Sequence, residues 1–113
     1  MTQEILGAKT CVPCQGGIPP LDPEKANELL ISTPNWVLNE DATRISQSII
    51  FKDFKEAMKF VNQVATLAEE EGHHPDISIH WNKVDLLLYT HKINGLHEND
   101  FIMAAKFNRV RGL

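Results

Sequence analysis

EEEGHHPDISIHWNKVDLLLYTHKINGLHEND, residues 69–100, contains all five of the chain's histidines, in a pattern that gathers three of them, His73, His74 and His91. A helix is expected to end at Gly72, followed by a polar corner at His73-His74-Pro75 and two short strands. In the first strand Ile77, Ile79 and Trp81 alternate with Ser78 and His80. In the second, Val84, Leu86, Leu88 and Thr90 alternate with Asp85, Leu87, Tyr89 and His91. Taking Asn82-Lys83 as a two-residue hairpin loop pairs Trp81 with Val84, Ile79 with Leu86 and Ile77 with Leu88, so that apolar meets apolar throughout. The same register sets His80 opposite Asp85 and His74 opposite His91, the latter pair roughly 4.5–5.5 Å apart at Cβ.

Working outward, the 113 residues suffice for one domain with a core of its own. A hydrophobic content of 42% with 23% charged residues is ordinary for a globular chain, and a net charge of −4 without a basic run argues against nucleic acid. No apolar run reaches membrane-spanning length, and MTQEILGAKT lacks the basic and apolar parts of a targeting signal. The expectation is therefore a cytoplasmic protein with no membrane contact.

Two cysteines form a lone CVPC, Cys11 to Cys14. Gly16-Gly17 and Pro19-Pro20 follow it, where a redox motif needs a helix, and the motif supplies only half of a zinc site. Residues 1–21 are accordingly expected as an N-terminal arm, and residues 22–113 as the single domain.

Along that domain, Asp22 caps a short helix with Pro23 at its first position, and Pro34 ends the segment. Trp36 to Leu38 and Ile45 to Phe51 read as strands joined by the loop at Asn39-Glu40-Asp41-Ala42. Asp53 and Glu56 form a capping-box pattern. Phe54, Ala57, Met58, Val61, Val64, Ala65 and Ala68 then repeat at helical spacing, a stripe broad enough for either a wide core face or a subunit contact. A last helix is capped at His97, stapled by Leu96 and Phe101, with Asp100 at its third position. The order αββαββα predicts an α+β fold: a four-stranded antiparallel sheet with three helices packed on one face.

Imidazole both gives and takes protons near neutrality, so His73, His74 and His91 around one cleft, with Glu69 and Asp100 beside them, suit acid–base catalysis. Plainer roles compete. His73 follows a helix end and benefits from its dipole, His74 and His91 form a cross-strand pair at a sheet margin, and Asp100 serves as a cap. Three histidines and a carboxylate also satisfy a metal, although adjacent His73 and His74 are awkward joint ligands and no HxH or HExxH occurs. Spacing alone ranks acid–base chemistry only slightly above metal binding.

Glu69, three residues, His73-His74-Pro75, five residues, Trp81, nine residues, His91, eight residues, Asp100 resembles the signature of the pterin-4a-carbinolamine dehydratases. The similarity runs from about Asp22 to Val110 and includes FKDF at 51–54 and WNKV at 81–84. The resemblance implies dehydration of 4a-hydroxytetrahydropterin to quinonoid dihydropterin (the 4a-hydroxytetrahydrobiopterin dehydratase reaction), which regenerates the cofactor of aromatic amino-acid hydroxylases. It implies catalytic His73, His74 and His91, orienting Glu69 and Asp100, and a pterin pocket shaped by Pro75 and Thr90. No metal or bound cofactor is implied. Members of this family assemble as dimers or tetramers. Some relatives act as non-enzymatic dimerisation or scaffold proteins, the alternative function for this chain. The resemblance gives no role to Cys11, Cys14 or His97.

Overall fold

Asp22, Asp53 and His97 each stop extended chain and start a helix, because each side chain accepts a backbone N–H that the first helical turn leaves without a partner. The computed structural model describes residues 1–13 and 16–113. In chain order the elements are α1 (Gln3–Ala8), α2 (Pro23–Leu30), β1 (Val37–Leu38), β2 (Ile45–Ile50), α3 (Phe54–Glu71), β3 (Asp76–His80) and β4 (Lys83–Leu88). A 3-10 turn (His91–Ile93) and α4 (Glu98–Val110) complete them. The strands form one antiparallel sheet in the order β1-β2-β4-β3. The expected α+β architecture is therefore present, with one helix more than anticipated.

One sheet face is buried and the other open, as strand periodicity requires. Ile45, Gln47 and Ile49 of β2 and Val84, Leu86 and Leu88 of β4 point into the core, while Ser48 and Ile50 face solvent. The α3 stripe contributes Ala57, Phe60, Val61, Val64 and Ala68 to the same core. Gly72 then ends α3 in the left-handed region at φ 66°, where a residue without Cβ meets no penalty.

The extra helix lies in the segment expected as an arm. Leu6 of α1 is fully buried in the common core, worth about 1.5–3 kcal/mol of apolar burial. At Gly7 the two helices approach so closely that an added Cβ would lie 2.9 Å from Arg109 Cδ. The Gly7 carbonyl also accepts from Lys106 Nζ at 2.9 Å. This docking explains why α4 is buried nearly all round, from Asn99 to Asn108: α1 covers the side that a two-layer fold would leave open. The resulting centre needs polar closure. Asn108 supplies it, accepting from Trp36 Nε1 at 3.1 Å and donating to the Pro34 carbonyl at 2.8 Å.

The β3–β4 register differs from expectation by two residues. Ile79 pairs with Val84, Ile77 with Leu86, and His80 with Lys83, so the turn falls at Trp81-Asn82. Because side chains alternate with period two, a two-residue shift keeps every apolar side chain on its face, and apolar matching cannot tell the two registers apart. Contacts from a third strand decide it. Asn82 extends the β2–β4 ladder, its carbonyl accepting from the Phe51 N–H at 2.8 Å and its side chain donating to the Phe51 carbonyl at 2.9 Å. Trp81 is thereby expelled into the turn, at φ 52° and 67% exposed, rather than paired with Val84. His74 and His91 are not cross-strand partners either. β4 ends at Leu88, Thr90 bridges to Gly95, and His91 begins the 3-10 turn.

Candidate functional site

His73 follows the left-handed Gly72 directly, and the chain's reversal there aims its ring at the start of α4. Nε2 of His73 lies 2.6 Å from Oδ1 of Asp100. Asp100 is fully buried, and its other oxygen accepts from Thr90 Oγ1 at 2.8 Å and from the His97 N–H at 3.0 Å. The second of these bonds belongs to the α4 capping box, whose other half is the His97 side chain accepting from the Asp100 N–H; His97 Nδ1 also accepts from the Asn99 N–H at 2.9 Å. One carboxylate therefore caps the start of a helix, fixes Thr90 and orients an imidazole. With Nε2 of His73 engaged by the carboxylate, the other ring nitrogen is left for chemistry.

His74 pairs through Nε2 with Oε2 of Glu69, one turn back on α3, and both side chains are largely exposed. His91 is also exposed, but its ring stacks on Tyr89 with centroids 4.1 Å apart and planes 16° from parallel. The three histidines, expected to converge through a cross-strand pair, do converge, by a different route. His73, His74, Thr90 and His91 line one cavity of about 550 Å³. Asp100 stands behind His73 and Glu69 beside His74, whereas Pro75 is not part of the lining.

The cavity has walls that the sequence reading missed. Cys11, Val12 and Pro13 form one of them, with Glu71, Tyr89, Lys92 and Asn99. The N-terminal segment is held there by side chains. Asn99 accepts from the Val12 N–H at 3.0 Å and donates to its carbonyl at 2.6 Å, while Glu71 Oε1 accepts from the Cys11 N–H at 2.7 Å. Burial, reinforced by the Glu71 carboxylate, pushes the Cys11 thiol up to about 12, so it stands protonated at neutral pH. Cys14 lies outside the described residues. The alternation had placed Tyr89 on the face of His91, a signal that could have drawn it into the site. Nothing local in CVPC announced that Asn99, far along the chain, would hold it.

Among the described residues, no group of three or more histidine, cysteine, aspartate or glutamate side chains is placed to hold a metal ion. No helix among them is long and apolar enough to cross a membrane.

The chain is similar in sequence and fold to known proteins. A protein of Methylococcus capsulatus, named as a putative pterin-4-alpha-carbinolamine dehydratase, is 53% identical over 93% of this chain and 92% of its own. A crystal structure from Brucella melitensis, described as a transcriptional coactivator/pterin dehydratase, superposes with a TM-score of 0.76 at 37% identity, over 80% of this chain and 97% of that one. A pterin dehydratase-like protein, described as a RuBisCO assembly factor in the alpha-carboxysome, shares the fold at a TM-score of 0.60 and 22% identity, over 69% of this chain and 90% of that one. Residues 19–110 match the family described as pterin 4 alpha carbinolamine dehydratase, and with the histidines gathered at one cavity the chain belongs to that family.

Proposed function

We propose that this chain is a hydro-lyase that dehydrates 4a-hydroxytetrahydropterin to quinonoid dihydropterin, with His73, His74 and His91 exchanging the protons. The observation that carries the reading is the His73–Asp100 pair, a buried carboxylate holding an imidazole at the wall of a cavity of about 550 Å³ that two further histidines share. That volume lies within the range of small-molecule sites and admits a bicyclic heterocycle. In the reaction the C4a–O bond breaks with both electrons going to oxygen, an imidazolium protonates the departing hydroxyl to water, and a neutral imidazole takes the N5 proton as the N5–C4a double bond forms. Positioned proton transfer of this kind supplies about 10²–10⁴-fold. Asp100 and Glu69 orient His73 and His74, Thr90 steadies Asp100, and Pro75 fixes the corner after the two histidines. Neither a metal nor a bound cofactor enters the scheme. The product is the oxidised form of a hydroxylase cofactor, which places the enzyme beside aromatic amino-acid hydroxylases. Exposed Ile50, Phe54 and Trp81 support a homo-oligomer, which sedimentation would detect.

The test is direct. Purified protein accelerates loss of the 4a-hydroxypterin intermediate, and His73→Ala or His91→Ala lowers the rate by about 10²-fold or more. Equal rates for wild type and both variants would favour the scaffold alternative. A stoichiometric transition metal, lost to a chelator together with activity, would favour the metal reading.

A further inference from the structure

Each of the first two histidines has a carboxylate partner, His73 with Asp100 and His74 with Glu69. His91 has none among the described residues. It sits on a one-turn 3-10 segment, exposed, where an imidazole with no partner would spread over several rotamers. What it has is the Tyr89 ring, stacked at 4.1 Å, and Tyr89 in turn carries the Arg44 guanidinium 3.6 Å from its ring centre. Two groups this near one ring centre cannot share a face, so Tyr89 is sandwiched between Arg44 and His91. Arg44 is itself anchored, donating to the Thr43 carbonyl at 2.9 Å and to Asn94 Oδ1 at 2.8 Å, the latter just past the 3-10 turn.

We propose that Tyr89, backed by Arg44, is the positioning residue for His91, doing by stacking what Asp100 and Glu69 do by hydrogen bonding for His73 and His74. The proposal rests on the dehydratase reading. The two modes differ in consequence. A carboxylate commits one ring nitrogen, whereas a stack fixes the plane of the ring and leaves both nitrogens available to exchange protons with substrate or water. Arg44 holds the tyrosine from the far side by a cation–π contact and ties the 3-10 turn to the start of β2.

The experiment is steady-state dehydration kinetics on the full-length protein, together with NMR of the His91 ring protons. Tyr89→Leu lowers kcat by about tenfold or more while KM stays within about twofold, because loss of orientation acts on the chemical step. Tyr89→Phe restores most of kcat, since the stack needs the ring and not the hydroxyl. In the wild type the His91 protons are shifted upfield by the tyrosine ring current, an effect lost in Tyr89→Leu and kept in Tyr89→Phe. Arg44→Met, a surface change, reduces both the upfield shift and kcat, and it serves if Tyr89→Leu does not fold. A rise in KM with kcat unchanged would make Tyr89 a substrate platform and overturn the proposal, as would a wild-type His91 with no ring-current shift. A His91→Ala variant as fast as wild type would likewise overturn it, whereas a wild type without activity would instead refute the dehydratase reading, and the NMR result stands apart from that reading.

Discussion

Asp100 accepts hydrogen bonds from Thr90 and from the His97 N–H on one oxygen and faces His73 on the other, with no exposed surface at all. That division permits a substitution that separates folding from chemistry. In Asp100→Asn the amide oxygen can take the place of the oxygen that serves Thr90 and His97, while the amide nitrogen faces His73 and donates. Nε2 of a neutral His73 must then accept, its proton moves to the other ring nitrogen, and the ring can no longer act there as a base. We expect stability within about 1 kcal/mol of wild type in urea titration, and a dehydration rate lower by about 10²–10⁴-fold. Asp100→Ala removes the cap as well and is expected to cost about 1–3 kcal/mol in the same titration. At this scale the sequence was readable for residues whose structural role is local. Asp100 and His97 stand at fixed offsets from a helix start, so the cap could be derived by counting. The union of that cap with His73 could not, because it depends on where α3 ends in space.

Between elements, the contact between α1 and α4 carries the largest departure from the sequence reading. A six-residue helix does not persist alone in water, and glycine and proline after it speak for an irregular segment. It is stable because Leu6 enters the core and Gly7 leaves room for the Arg109 and Ala105 side chains of α4 to pack against α1. Leu6→Ala is therefore expected to lower unfolding free energy by about 2–5 kcal/mol, measured by denaturant unfolding, whereas a truly detached arm would show no change. The β3–β4 hairpin teaches a complementary lesson. Its existence, its faces and its antiparallel sense were legible in the alternation of Ile77, Ile79, Val84, Leu86 and Leu88. Its register was not, since Asn82 answers to Phe51, just past the end of β2 and about thirty positions earlier.

For the whole molecule, the docked N-terminal segment couples the site to global stability through Cys11. Its thiol is an acid whose pKa is raised on folding, from about 9 to about 12, by burial and by Glu71. The native state thus holds the proton over a range where the unfolded chain releases it. The contribution is complete below pH 9 and is lost progressively as pH rises toward 12. In a Cys14→Ser background, stability is expected to fall across that window, and Cys11→Ser should flatten the decline. A thiol reagent at pH 8 should react with Cys11 slowly in the native protein and quickly in denaturant. What depends on near neighbours and on period was legible from the residues alone: the αββαββα core order, the helix caps, the buried and open faces of the sheet, and the spacing of the histidines and carboxylates. Long-range packing set the strand register, the seating of α1, the wall formed by Cys11 to Pro13, and the stack of Tyr89 with His91. Each of these rests on contacts between residues far apart in the chain, whose energies register no local pattern until the core has closed around them.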